Sequence, residues 1–335
     1  MRSARRLFEK LCDPDHLDRA VDLTVRGKRL RRDVAWFLFR REDEVERLQL
    51  ELAAGSYHPE AFELVRILDP KPRLIARVPI ADRVVHTALV TLMEPIFLPG
   101  LLPDAFACRR GLGTHRAVLR LLDLVRRHRF ALHLDVRSYF PSIDHGVLRG
   151  LLARRIRDAR FLAVLDRVLE AGRGVYDSPA ARAMAHIDAD WPPPGRGLPI
   201  GAYTSQFFAA HVYVGGLDHF IKRELKVPGY VRYVDDIFLF GDRRSELRRL
   251  RAAVACWLEA ERSLRLKHPE ARILSCRGPL VALGHRVRRD GVEALPRALR
   301  RLRRRLRYEL MRPCGRRIGP EIGRSIAATV GWTLT

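Results

Sequence analysis

Apolar residues recur at helical spacing through the first sixty positions: Leu7, Leu11, Leu17 and Val21, then Val34, Phe37, Leu38, Val45, Leu48 and Leu52. That period predicts helices over 1–60. The face between them carries Arg26, Lys28, Arg29, Arg31, Arg32, Arg40 and Arg41 and is strongly basic. The pattern then changes. Residues 62–68 and 74–78 are rich in β-formers and are separated by Asp69-Pro70-Lys71-Pro72, punctuation that predicts a hairpin. A helix is expected over 81–97, with Asp82 in its first turn, a strand over 130–136, and helical structure over 144–171 with Asp144 as its cap. The stretch 172–197, with GRG, SPAAR and WPPPGRG, reads as a loop and as the least structured segment. A long helix is expected over 204–226, two short strands around a tight turn over 229–240, a basic helix over 243–262 and further strands over 271–293. Residues 297–312 hold eight Arg in sixteen, with Leu299, Leu302, Leu306 and Leu310 as an apolar stripe, the pattern of an amphipathic basic helix. Helices and strands alternate irregularly, which predicts an α+β fold over a regular βαβ array.

Composition leaves a folded protein as the frame: 335 residues, 47% hydrophobic and 30% charged. Charge narrows the function. Lys plus Arg is 63 against 39 Asp plus Glu, a formal net charge of +24. A surface so positive repels itself and calls for a polyanionic partner, nucleic acid first and an anionic membrane surface second. The five Cys, at 12, 108, 256, 276 and 314, form no CxxC pair and no zinc-spaced cluster with His, and read as reduced thiols of a cytoplasmic protein. The N-terminal basic residues lack the apolar run of a secretory signal, and the longest apolar stretch, 86–102, is broken by Glu94, Pro95 and Pro99, so no membrane partner is expected.

The strongest local chemical signal is Arg232-Tyr233-Val234-Asp235-Asp236-Ile237-Phe238-Leu239-Phe240. Within one strand, adjacent Asp side chains would face opposite ways and one would be buried as a charge. A turn between two strands exposes both. Such a turn either holds divalent cations or is a hairpin with a polar tip. Asp135, at the end of the apolar run Leu132-His133-Leu134, is a second acidic strand end. It either caps the next segment of chain or joins Asp235 and Asp236 around two Mg²⁺ ions, the pair that phosphoryl transfer uses to activate an attacking oxygen and stabilise a leaving one. His86, His115, His128, His133 and His211 are scattered and read as packing or surface residues, and Ser138 and Ser142 sit in no nucleophile-elbow context.

These residues carry a resemblance. The chain resembles a reverse transcriptase, an RNA-directed DNA polymerase, over nearly its whole length. YVDD (233–236) matches the central catalytic motif of that family and LHLDVRSYFPSIDH (132–145) the first. GLPIGAYTSQ (197–206) matches the motif that supports template and incoming nucleotide, and LGHRV (283–287) the primer-grip turn. KPRLIARVPIADRVVHTAL (71–89) and FACRRGLGTHRAV (106–118) match the fingers motifs. Within the family, FPSI and IGAYTSQ resemble the enzymes of diversity-generating retroelements. Group II intron and retron enzymes more often carry Gln at the position of Ile200 and Pro at that of Gln206.

The resemblance implies a right-hand polymerase: fingers over 1–130, a ferredoxin-like palm over 131–290 with 172–197 inserted, and a short basic helical thumb over 291–335. It implies a pair of Mg²⁺ ions, replaceable by Mn²⁺, held by Asp135, Val136, Asp235 and Asp236, with Asp236 the weaker ligand. Phe140 takes the place of a steric gate against the ribose 2′-OH. Lys71, Arg73 and Arg77 reach the triphosphate, Gly201 lets backbone approach the nucleotide, and Gln206 contacts it. Arg109, Arg110, Ser205, Tyr233, Gly284, Arg300 and Arg304 meet nucleic acid. The partners implied are template RNA, primer and cDNA, dNTPs and a small basic accessory protein. Ile200 cannot hydrogen-bond where Gln is common, which fits error-prone copying. Two departures stand out: no Lys follows Pro269 in Leu266-Lys267-His268-Pro269, where the family often has the residue that protonates pyrophosphate, and the thumb is short. A retron-like or phage-defence enzyme, a nucleic-acid-binding relative without catalysis, and a two-metal cyclase are the alternatives.

Overall fold

In a computed structural model of the chain, the residues described are 6–68 and 72–310. They form an α+β protein of two compact units, each discontinuous in sequence. Of the described residues, one gathers 6–68, 72–102, 136–218 and 256–267; the other gathers 103–135, 219–255 and 268–310.

The first unit is mostly helical. Its helix Pro14–Val25 begins where the Asp13 side chain accepts from the Asp15 N–H and Pro14 supplies a preset φ, and it buries Leu17, Ala20, Val21 and Val25 on one stripe. Arg41–Ala54 stops at Gly55, whose φ of 70° is the left-handed turn that ends helices. Ile80–Phe97 is buried on nearly every side, by Val84, Val85, Ala88, Leu89, Val90 and Met93 among others. Two of its buried polar groups are paired: Thr87 with Thr24 at 2.8 Å, and Asp82 with the Tyr57 hydroxyl at 2.7 Å and the Glu60 N–H at 3.0 Å. Burial raises the Asp82 carboxyl above the usual carboxylate range despite those two donors. The strands β1 (Glu63–Ile67) and β2 (Arg73–Arg77) pair antiparallel, as the sequence predicts, with Leu74 and Ala76 inward and Arg73 and Arg77 outward.

Segment 172–197 departs from its expected looseness. It contains the helix Pro179–Ala185, capped by the Ser178 hydroxyl. Arg182 donates to the Pro192 carbonyl at 3.0 Å, and Arg137 clamps Asp188 and Asp190 at 2.7 and 2.9 Å. Trp191, 6% exposed, donates its indole N–H to the Ser142 hydroxyl at 2.9 Å, with Arg265 over its ring. Pro and Gly there mark sharp turns within an ordered segment. The single helix expected over 204–226 is also different: it widens to π-type turns at Phe208–Tyr213 and breaks at Val214.

The second unit holds a four-stranded antiparallel sheet in the order β4-β5-β3-β6, with β3 Phe130–Leu134, β4 Gly229–Tyr233, β5 Asp236–Gly241 and β6 Ile273–Ser275. The strands β4 and β5 are buried almost throughout. The helix Thr114–Arg127 packs Ala117, Val118, Leu121, Leu124 and Val125, at helical spacing, into one core with Ala131, Val231, Phe238 and Phe240. The outer edge of β4 is covered by a parallel bridge in which the Arg232 N–H donates to the Asp104 carbonyl and Phe106 donates back to that of Arg232. A three-stranded meander, β7 Leu280–Ala282, β8 His285–Val287 and β9 Val292–Ala294, precedes the helix Pro296–Leu310. Among the described residues no helix is long and apolar enough to cross a membrane.

Trp191→Ala removes a large buried ring and its bond to Ser142, a loss of about 3 kcal/mol or more. Trypsin should cut that variant at Arg173, Arg182 or Arg196 well before the parent; equal cleavage rates would show 172–197 to be untied. Asp82 holds its proton more tightly in the folded state, so its contribution to stability declines as pH rises from 3.8 through its raised value. The melting temperature of the parent minus that of Asp82→Asn should therefore fall over that window, and a flat difference would refute the assignment.

Candidate active site

The site grows from one tight turn. In the β4–β5 hairpin Tyr233 pairs with Asp236, which leaves Val234 and Asp235 as a two-residue loop. Loops this short need left-handed backbone, and Val234 adopts it, with φ 57°. A β-branched residue there is strained by about 1–3 kcal/mol and persists only where its surroundings hold it. Two contacts do so. Arg232, 1% exposed, donates from Nη1 to the Val234 carbonyl at 3.1 Å, and the Thr114 hydroxyl donates to the Tyr233 hydroxyl at 3.0 Å.

Strand β3 lies antiparallel beside β5, with Leu134 opposite Ile237 and His133 opposite Phe238. One step further along both strands, Asp135 comes level with Asp236. The three acidic residues thus share one end of the sheet, and all three are half-buried. His133 lies on the same face of β3 as Asp135. Its ring stacks on Phe238, centroids 4.4 Å apart and 12° from parallel, and its Nε2 is 2.6 Å from Asp236 Oδ1. Asp236 is therefore engaged by an imidazole. This partner was missed in the sequence, where His133 reads as a scattered packing residue. The available signal was the two-residue spacing His133–Asp135 on a strand that ends opposite an acidic turn.

Hard carboxylate oxygens at a strand end suit Mg²⁺, which binds through one or two carboxylates and takes the rest of its shell from phosphates and water. The donor chemistry fits the ion. A closed cage does not exist: among the described residues no three His, Cys, Asp or Glu side chains stand close enough to hold a metal.

Other candidates of this unit lie on separate features. Arg109 is half-buried and donates to the Ala105 carbonyl at 2.8 Å, whereas Arg110 is exposed. Gly284 takes φ 82° in the β7–β8 turn. Arg300 and Arg304, one helical turn apart, are exposed on Pro296–Leu310.

In the first unit, Phe140 is half-buried on the short helix Tyr139–Ser142, and its carbonyl accepts from the Leu198 N–H at 2.9 Å. Val136 is buried and bridges Leu266. The Ile200 carbonyl accepts from Ala76 at 2.7 Å, and Gly201 sits beside it with φ 119°, where a Cβ would fall 2.4 Å from the Ala76 carbonyl oxygen, so only glycine fits. Gln206 is exposed, but Ser205, 2% exposed, faces the interior, lining a small cavity with Asp82 and His86. Burial drives the His86 imidazole down to about 4, so it is neutral. Arg73 is exposed; Arg77 is exposed and paired with Glu63 at 2.8 Å. Lys71 lies outside the described residues.

No family model matches the chain. Protein YkfC of Escherichia coli strain K12 is 25% identical over 272 residues, which cover 73% of this chain and 71% of that protein. The group II intron-encoded protein LtrA of Lactococcus lactis subsp. cremoris is 22% identical over 134 residues, 39% of this chain and 22% of LtrA. An uncharacterized 91 kDa protein in the cob intron of Schizosaccharomyces pombe is 26% identical over 146 residues, 42% of this chain and 16% of its own length. The chain thus matches less than a quarter of the length of either intron protein, and it is distantly similar to proteins encoded within introns, a group II intron among them.

Proposed function

We propose that the chain is a reverse transcriptase that adds dNMPs to a primer 3′-OH on a template RNA. The observation that carries this reading is the register that sets Asp135 level with the Asp235–Asp236 turn at one end of a buried sheet. The distant similarity to intron-encoded proteins and the order of the motifs support it. In this reading the right hand is divided as fingers 1–130, palm 131–290 and thumb 291–335. Two Mg²⁺ ions, when bound, would activate the attacking hydroxyl and stabilise the leaving pyrophosphate. Asp135 and Asp235 hold them, with the Val136 main chain adjoining. Asp236, oriented by His133, adds negative potential without a full place in the shell. Arg232 keeps the turn that carries Asp235 from relaxing.

Elsewhere in the chain, Phe140 closes the space of a ribose 2′-OH, Gly201 admits the nucleotide to backbone, and Gln206 and Arg73 meet nucleotide or template. Arg77 reaches phosphate on release from Glu63, and Lys71 serves the same end. Arg109 is held by its own loop, so Arg110, Tyr233 and Gly284 are left as the nearer contacts to nucleic acid, with Arg300 and Arg304 tracking phosphates. Ser205 acts from within by fixing the helix that presents Gln206. The setting we propose is cytoplasmic error-prone copying in a diversity-generating retroelement, with a small basic accessory protein. Ile200, which offers no hydrogen bond, supports that setting. A group II intron-type role is the second reading, favoured by the relatives encoded in introns.

On a primed homopolymer RNA with Mg²⁺, Asp235→Asn should cut extension by about a thousandfold or more, several kcal/mol of transition-state stabilisation. Extension at the parental rate would end the proposal. Ile200→Gln should lower misincorporation severalfold on the same template, and an unchanged error spectrum would remove the error-prone assignment alone.

A further inference from the structure

The helix Arg32–Phe39 buries Val34 and Phe37. Its opposite stripe runs Arg32, Trp36, Phe39 and Arg40, at i, i+4, i+7 and i+8. Trp36 is 65% exposed and Phe39 82%. Single exposed apolar residues are ordinary on a protein surface, but this pair is organised. The two rings stand 6.0 Å apart and 27° from parallel, a short ready-made stack open to solvent and bracketed by guanidinium groups. The turn before the helix adds Arg26 and Lys28, also exposed. Arg26, Lys28 and Arg32 have no carboxylate partner among the described residues, while Arg40 has Asp43 at 3.7 Å. None of these residues belongs to the site above.

We propose that this stripe is a second nucleic-acid site, a platform for single-stranded RNA or DNA. Two successive unpaired bases continue the Trp36–Phe39 stack, and Arg26, Lys28 and Arg32 neutralise the flanking phosphates. Aromatic faces with interleaved cations bind single strands without reading sequence, because every base has a π-face. A duplex keeps its base faces inside and offers the platform little. The net charge of +24 matches a polyanion. Leu30, fully exposed beside the stripe, is the feature an anionic lipid surface would use, but ring-on-ring stacking favours bases.

The test is fluorescence anisotropy of the full chain with labelled dodecamers, rA12 and dA12, together with a 12-base-pair RNA duplex and phosphatidylserine vesicles, across a salt series. Trp36→Ala with Phe39→Ala should weaken rA12 or dA12 binding about 10- to 100-fold, with the salt slope unchanged. The ratio of the rA12 loss to the dA12 loss tells template from product as the occupant. Neutralising Arg26, Lys28 and Arg32 to Gln should instead lower the slope by about 2. Trp36→Phe should keep most of the affinity and Trp36→Leu should lose it, which separates stacking from apolar packing even if the double variant folds poorly. Binding of the single strands that is indifferent to both rings, an equal loss on the duplex, or a loss confined to vesicles would overturn the proposal. Asp235→Asn should leave this binding intact, so the platform and the copying activity can fail independently.

Discussion

The antiparallel register of β3 against β5 is the constraint on which the site depends. With Leu134 opposite Ile237, Asp135 ends level with the acidic turn; a slip of one residue would send it to the other face of the sheet. What fixes the register is burial. Ala131, Phe238 and Phe240 share a core with the helix Thr114–Arg127, and a slip of β3 would take Ala131 out of it and drive His133 and Asp135 to the face where Leu132, Leu134 and Leu239 are buried. The same register sets His133 against Phe238 and within reach of Asp236, so the packing that holds the sheet also orients a carboxylate.

The turn adds a second constraint. Val234 supplies no conformational freedom, so the tight loop is maintained from outside, by a guanidinium buried behind it and a tyrosine tied to Thr114. Burying a cation is unfavourable unless it is well bonded. A buried Arg held against the Val234 carbonyl makes sense where the position of the next residue, Asp235, must not drift. Strain of this kind is characteristic of sites whose geometry is set before a ligand arrives.

Much of this was legible in the residues and some was not. The hairpins at 63–77 and 229–241 were visible because β-rich runs flank turn residues, and the cap at Asp144 follows ordinary helix-start chemistry. Segment 172–197 misled because its Pro and Gly content says nothing of the long-range ties through Arg137, Ser142 and Trp191. The π-type turns at 208–213 carry no period of their own in an apolar run. His133 was hidden for a different reason: its role exists only after two strands a hundred residues apart are paired. Trp36 and Phe39 were hidden among apolar helix positions, where hydrophobicity alone does not say which ring faces water.

The copying activity proposed above requires Asp135 and the Asp235–Asp236 turn to act as one divalent-metal site. Electron paramagnetic resonance titration with Mn²⁺, in the presence of a dNTP, reads this directly. The parent chain should bind two spin-coupled Mn²⁺ ions, and Asp135→Asn should lose the coupled signal while keeping its folded circular dichroism. A parent that never shows coupling, or an Asp135→Asn chain that shows it undiminished, would contradict a shared metal site.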